Sequence, residues 1–392
     1  MKHIKIILFS LLLALPTLFT SCIEPPLKLP AQEVVVDFPA IITDIEVVWN
    51  IDVDWKHRWY YGWDDLDSTL WGPIAYPIPT NYEVRRYYLG EDPDGPHTSV
   101  DGFTVYGNRF RRVYQFGYYD MLLWSNIDSE DGTQVVKIDE SDPEEAFAST
   151  TVTRGMTRFN TEVSSETDNS SINGLFNQPE IFYGAYPRNI YISRNMEDYD
   201  YYDEDEHCWV KRINCELDPR VYIYLVQVIL LNNDGRVVGT SGNAAMSAFS
   251  SGTSVNTGHT FDSPAMVYFN TRYKSNMLYE TQTAEIIGGK LTTYGLCDMD
   301  AYSLAPDHIY SGSRTDLHNY LMVDFLFRNG AEKTMQFDVT KQCREQAHGG
   351  IITVILDCGD LEIPEKPSEG GTGSLFVPTV EDYDEIVYEI PL

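Results

Sequence analysis

Apolar and polar residues alternate along most of this chain. From Val47 to Trp55, Trp49, Ile51, Val53 and Trp55 fall on one face and Asn50, Asp52 and Asp54 on the other. A period of two marks a half-buried strand, because successive side chains leave a pleated backbone on opposite sides. Residues 34–38 are β-branched and aromatic, and further strands are predicted at 103–106, 109–116, 119–125, 135–138 and 189–193. Residues 221–231 make a long β-branched run that stops at Asn232-Asn233-Asp234-Gly235 and resumes at Arg236. Asn or Asp before Gly supplies the positive φ of a tight turn, so a hairpin is predicted there. Strands at 265–269, 283–293, 320–327, 334–339 and 351–356 follow, with Asn329-Gly330 as a second hairpin turn. Only 143–148, capped by Ser141 or Asp142, reads as a short helix. Many short strands and few helices predict an all-β protein of antiparallel sandwiches.

The first residues break this pattern. Lys2 and Lys5 precede an apolar run from Ile6 to Leu15, the proportions of an export signal. The run is too short to span roughly 30 Å of hydrocarbon as a helix. It leads into Leu18-Phe19-Thr20-Ser21-Cys22, which resembles the lipobox of bacterial lipoprotein signals. Residues 1–21 are therefore expected to be a signal peptide and Cys22 to carry the lipid. Residues 22–32, with Pro25, Pro26 and Pro30, read as an extended tether. A polar loop at 161–177 and an acidic, Tyr-rich stretch at 196–206 punctuate the rest. The expected division is an N-terminal sandwich at 33–206, a C-terminal sandwich at 207–364 and a Gly-linked tail at 365–392.

Charge narrows the partners. The chain has 28 Lys and Arg against 59 Asp and Glu, a net charge of −31. That balance argues against nucleic acid, which needs clustered cations, and against electrostatic adhesion to anionic lipid. Of six cysteines, five remain once Cys22 is lipidated, so they cannot all pair internally. Cys208 with Cys215, and Cys343 with Cys358, are near enough in sequence for hairpin disulfides. No Cys-x-x-Cys, P-loop, Gly-x-Gly-x-x-Gly, Gly-x-Ser-x-Gly or His-Glu-x-x-His occurs, and the eight histidines are scattered. No catalytic role, cofactor or metal site is expected. The acidic run from Glu197 to Glu206 lacks the glycine and ordered alternation of a calcium loop and reads as solvated.

Three features invite a binding or assembly role. Trp49, Trp55, Trp59, Trp63 and Trp71 cluster early in the chain. Core packing is the preferred reading, and the alternative is a glycan-stacking platform of Trp59, Tyr60, Tyr61 and Trp63. Asp67-Ser68-Thr69 resembles an O-glycosylation sequon of Bacteroidetes and makes Ser68 a candidate acceptor. In the tail, Ile386, Tyr388 and Ile390 share one face of a tethered strand. Such a strand can pair with its own sheet edge or with the edge of another subunit.

Several stretches together resemble one family. They are Trp49 to Trp55, Gln115 to Asn126 (with Gly117, Tyr119 and Asp120), Pro179 to Gly184, and Val221 to Phe249. This is similar to the fimbrillin-like and fimbrium-anchoring lipoproteins of Bacteroidetes, including a related family known only as a domain of unknown function. The resemblance implies two tandem transthyretin-like β-sandwich domains and no catalytic residues. It also implies fimbrial subunits as partners, joined when a strand of one subunit completes the sheet of the next. The expected location is the outer membrane, held by the lipid on Cys22 and facing outward. The residues after Cys22 lack a clear acidic export run, so a periplasm-facing body is the alternative.

Overall fold

The structure, a computed structural model, describes residues 34–42, 58–125, 135–150, 175–301 and 316–366. It is built almost wholly of β-strands joined in antiparallel ladders. Two compact units form, and each draws on separated stretches of chain. The described part of the first is 34–41, 81–123 and 187–216. The second gathers the described residues of 42–80, 124–186 and 217–392.

In the first unit, Val34–Ile42 runs parallel to Cys208–Arg212 and antiparallel to Arg109–Val113. Tyr201–Asp203 adds to the far side of Cys208–Arg212. Asn81–Gly90 pairs with Thr98–Tyr106, and a bulge between Arg86 and Tyr87 shifts their register. The bulge explains the burial pattern. Tyr82, Val84 and Arg86 point inward before it, and Tyr87 and Leu89 after it, so the inward set changes phase by one residue. Arg86 is buried at this slip. Its guanidinium donates twice to Asp101 at 2.6 Å, bonds the carbonyl of Val113 at 3.0 Å and lies 4.6 Å from the Tyr114 ring centroid.

In the second unit, Tyr222–Leu231 is the central strand. It pairs antiparallel with Gln282–Thr293 and parallel with Gly350–Asp357. Pro264–Tyr279 continues the order by pairing with Gln282–Thr293 through its second half. Its first half pairs with Asn243–Ser250, which in turn pairs with Tyr320–Phe327. One long strand thus turns the corner of a sandwich. The core lies inside that corner and includes Tyr224, Val226, Val228, Phe249, Phe269 and Phe325. The other face of the central strand is also covered. Ile223, Leu225 and Ile229 pack against Trp59 and Tyr61. Both faces being buried is why the sequence there is continuously apolar and does not alternate.

Most expected strands form, including the hairpin of Tyr320–Phe327 with Glu332–Asp338 around Gly330. Three expectations fail. The turn after Leu231 exists, with positive φ at Asn232, Asp234 and Gly235, but no hairpin results. Val237–Gly239 pairs with Tyr320–Phe327, because the turn carries the chain across the sandwich. Residues 143–148 are not a helix. Asp142 closes a single turn on Glu144 and Glu145, and Phe147–Thr150 becomes a strand between Val136–Asp139 and Gly252–Ser254. The two proposed disulfides do not form, and Cys208, Cys215, Cys297, Cys343 and Cys358 are all buried thiols. The alternating stretch from Val47 to Trp55 and the loop at 161–174 lie outside the described residues.

Candidate functional site

The segment from Arg58 to Thr80 covers the outer face of the central sheet of the second unit, and it holds most of the chain's distinctive chemistry. Gln227 pins its start. The side-chain oxygen accepts from the backbone N–H of Tyr60 at 2.9 Å and of Tyr61 at 3.2 Å. The side-chain nitrogen donates to the carbonyl of Arg58 and the hydroxyl of Thr353. Trp59 and Tyr61 are 5% and 0% exposed, so these two rings are core residues and present no stacking surface. Tyr60 and Trp63 are half-buried and pack on the same cluster. The preferred core reading thus describes Trp59 and Tyr61, and the alternative sugar platform would have to do without their faces.

A helix, Asp65–Trp71, follows. Asp64 caps it by accepting from Leu66 and Asp67, while Asp67 accepts from the backbone N–H of Asp64. That is a capping box with aspartate in both roles. Asp67 is fully buried and also meets Arg272 at 2.8 Å, Lys274 at 2.6 Å and the hydroxyl of Tyr61 at 2.9 Å. The Lys274 ammonium lies 4.0 Å from the Tyr61 ring centroid. Burial, then the adjacent Asp67, pushes the Tyr61 phenol well above its usual range. The backbone N–H of Asp67 holds the Asp64 carboxyl far below the usual carboxylate range, with help from Lys274 and Arg272. Ser68 is exposed on this helix, donating to the Asp64 carbonyl and accepting from the Trp63 indole. The sequence showed Asp67-Ser68-Thr69 only as a sequon. The capping signal, Asp64 three residues before Asp67, was equally visible.

Beside the helix end lies a cleft of about 460 Å³. Trp71, Pro73 and Ile181 form apolar walls, and Gln178, Asn270 and Lys290 supply polar groups. Lys290 is buried, and its ammonium donates to the carbonyls of Trp71 at 3.2 Å and Pro73 at 2.6 Å. Burial pushes its pKa down to about 8. Sequence reasoning passed over Lys290, because one lysine in a β-branched strand carries no motif.

Of the stretches that resemble the family, Gly117–Ser125 and Tyr183–Ala185 are strands. In the first unit Asp120 is fully buried, accepting from the backbone N–H of Asn189 at 2.7 Å and lying 2.9 Å from His97. In the second, Glu180 accepts from the backbone N–H groups of Val135 and Val136. The acidic run from Glu197 is a 3-10 turn, Met196–Asp198, and the strand Tyr201–Asp203, where Asp203 pairs with Arg111. Among the described residues no three His, Cys, Asp or Glu side chains gather to hold a metal ion. Nor is any helix among them long and apolar enough to cross a membrane. Cys22, Ile386, Tyr388 and Ile390 lie outside the described residues.

No family model and no curated protein matches the chain. Solved structures do. A candidate adhesin from Bacteroides ovatus aligns over 86% of this chain and 94% of its own, at 12% identity and a TM-score of 0.46. The fimbrial anchor protein Mfa2 from Porphyromonas gingivalis aligns over 82% and 90%, at 13% identity and a TM-score of 0.36. A candidate polysaccharide-binding protein from Bacteroides thetaiotaomicron aligns over 83% and 91%, at 8% identity and a TM-score of 0.35.

Proposed function

We propose that this chain is a non-catalytic structural lipoprotein, a fimbrial anchor or accessory subunit held at the outer membrane through lipid on Cys22. The observation that carries this reading is Leu18-Phe19-Thr20-Ser21-Cys22 directly behind a basic, then apolar, export-type segment. Buried acyl chains contribute about 0.8 kcal/mol per CH₂, and two of them anchor durably. The motif residues Asp120 and Glu180 support a scaffold role, since Glu180 accepts from two backbone N–H groups and Asp120 from one, beside His97. Among the described residues the order of the central sheet ends at Gly350–Asp357. The outer edge of that strand is a template for strand addition, and the tail with Ile386, Tyr388 and Ile390 is the candidate donor toward another subunit.

Metabolic labelling with an alkyne palmitate tests the anchor. Wild type should incorporate label and sediment with membranes, and Cys22→Ala should do neither. Label retained by Cys22→Ala would refute lipidation there. Deleting 374–392 should abolish co-purification with fimbrial subunits and leave the unfolding midpoint unchanged. Normal assembly of the truncated chain would remove the donor-strand role. Glycosylation of Ser68 predicts a glycan-sized mass increment on its peptide from the native host, and an unmodified peptide would end that assignment.

A further inference from the structure

We propose that the cleft at Lys290 is a binding site for a carboxylated sugar, of the uronic acid class. Three observations in the second unit carry this. The first is an ammonium buried without a counter-charge. An ammonium has three hydrogens. Two of those on Lys290 go to the carbonyls of Trp71 and Pro73, and no carboxylate pairs with it among the described residues. Burying a cation against neutral carbonyls alone is costly, and an anion placed in the cleft relieves that cost. Its depressed pKa, caused by burial, records the same cost.

The second observation is another donor in the same wall. The Trp71 indole N–H is buried with no acceptor among the described residues. The Trp71 N–H and the third hydrogen of Lys290 are thus left over on residues that line the cleft, which suits a ligand rich in oxygen. Glu180 also borders the cleft, but its two oxygens are taken by the backbone N–H groups of Val135 and Val136. Its hydrogen bonds are thus made to the strand start and not to Lys290.

The third is shape. The cleft, about 460 Å³, is far larger than an ion needs and sits within the usual range of small-ligand sites. Its apolar walls of Trp71, Pro73 and Ile181 suit the hydrophobic face of a pyranose, and the amides of Gln178 and Asn270 suit its hydroxyls. The site is held in place. Thr292, two residues beyond Lys290, donates to the Pro179 carbonyl at 2.7 Å and takes the Gln178 side chain on its backbone N–H at 2.8 Å.

The test is calorimetric titration of the full chain with glucuronic acid, glucose and acetate. Glucuronic acid should bind saturably and at least about tenfold more tightly than glucose or acetate, because only it offers both the charge and the ring. Lys290→Gln should lose that preference. Trp71→Phe, which keeps an aromatic wall but drops the N–H, should weaken binding about threefold with an unchanged melting temperature. If Lys290→Gln fails to fold, ¹⁵N spectra of lysine-labelled wild type decide, since the Lys290 Nζ resonance should shift with glucuronic acid and not with glucose. Absence of saturable binding by glucuronic acid would overturn the site. Equal binding of glucose would overturn the role of charge, and equal binding of acetate the role of the ring.

Discussion

Gln227 occupies an apolar run where a leucine would match the pattern. It stays because the first residues of the covering segment bring backbone groups, not side chains, against the sheet. Buried N–H and C=O groups need partners, and one amide supplies them to Tyr60, Tyr61 and Arg58 at once. Gln227→Leu strands these groups and should cost on the order of 2–4 kcal/mol, read as a lower urea midpoint. Gly288 makes the complementary argument. A Cβ there would sit 2.5 Å from the Tyr61 ring, so Gly288→Ala should push Tyr61 outward and raise protease cleavage within 58–80. The sequence displayed Gln227 as a lone polar residue and Gly288 as a glycine in a strand. Neither reveals its partner, because the contact spans more than two hundred residues in one case and joins side chain to backbone in the other.

At the scale of elements, periodicity was the readable signal. Strands buried on one or both faces announce themselves through alternation or continuous apolar runs. The short helix Asp65–Trp71 did not, since its seven residues are too few to show a face. Its stability comes from caps and ion pairs. Asp67→Ala leaves Arg272 and Lys274 facing a buried vacancy and should cost about 3–5 kcal/mol, measured by denaturant unfolding. The pH response of the cap follows from Asp64. Its carboxyl is held below its ordinary value when folded, so the unfolded chain takes up protons first as pH falls. The cap's contribution is thus complete above the ordinary carboxylate range and is lost only in stronger acid. Circular dichroism should show an Asp64→Asn variant lacking this acid-dependent step. The turn at Asn232 to Gly235 was legible as a turn, but local φ preferences do not say which strand the chain meets next.

For the whole molecule, the thiols and Lys290 give measurable signatures. The five described cysteines are buried thiols, and burial raises the Cys358 thiol to about 12. A native chain should resist alkylation, with all five thiols reacting once it is unfolded. Lys290 tilts the pH dependence the same way as Asp64, in a higher window. Its folded pKa of about 8 lies below its ordinary 10.5, so the unfolded state holds more protons between those values. Wild type should therefore gain stability relative to Lys290→Gln as pH rises through that window, and a flat difference would show that the ammonium is not buried. The all-β class was plain from the chain. The interleaving of 34–41, 81–123 and 187–216 into one unit was not, because strand patterns identify elements and leave their partners open.

The parallel pairing of Tyr222–Leu231 with Gly350–Asp357 has a mechanical meaning. Tension applied between residues 222 and 357 draws the first strand toward its start and the second toward its end. Parallel strands loaded this way slide against each other, so their hydrogen bonds resist together and do not unzip one by one. Stretched between those two points in a force spectrometer, the pair should yield in a single high-force event. That behaviour would suit the anchoring role proposed for this chain.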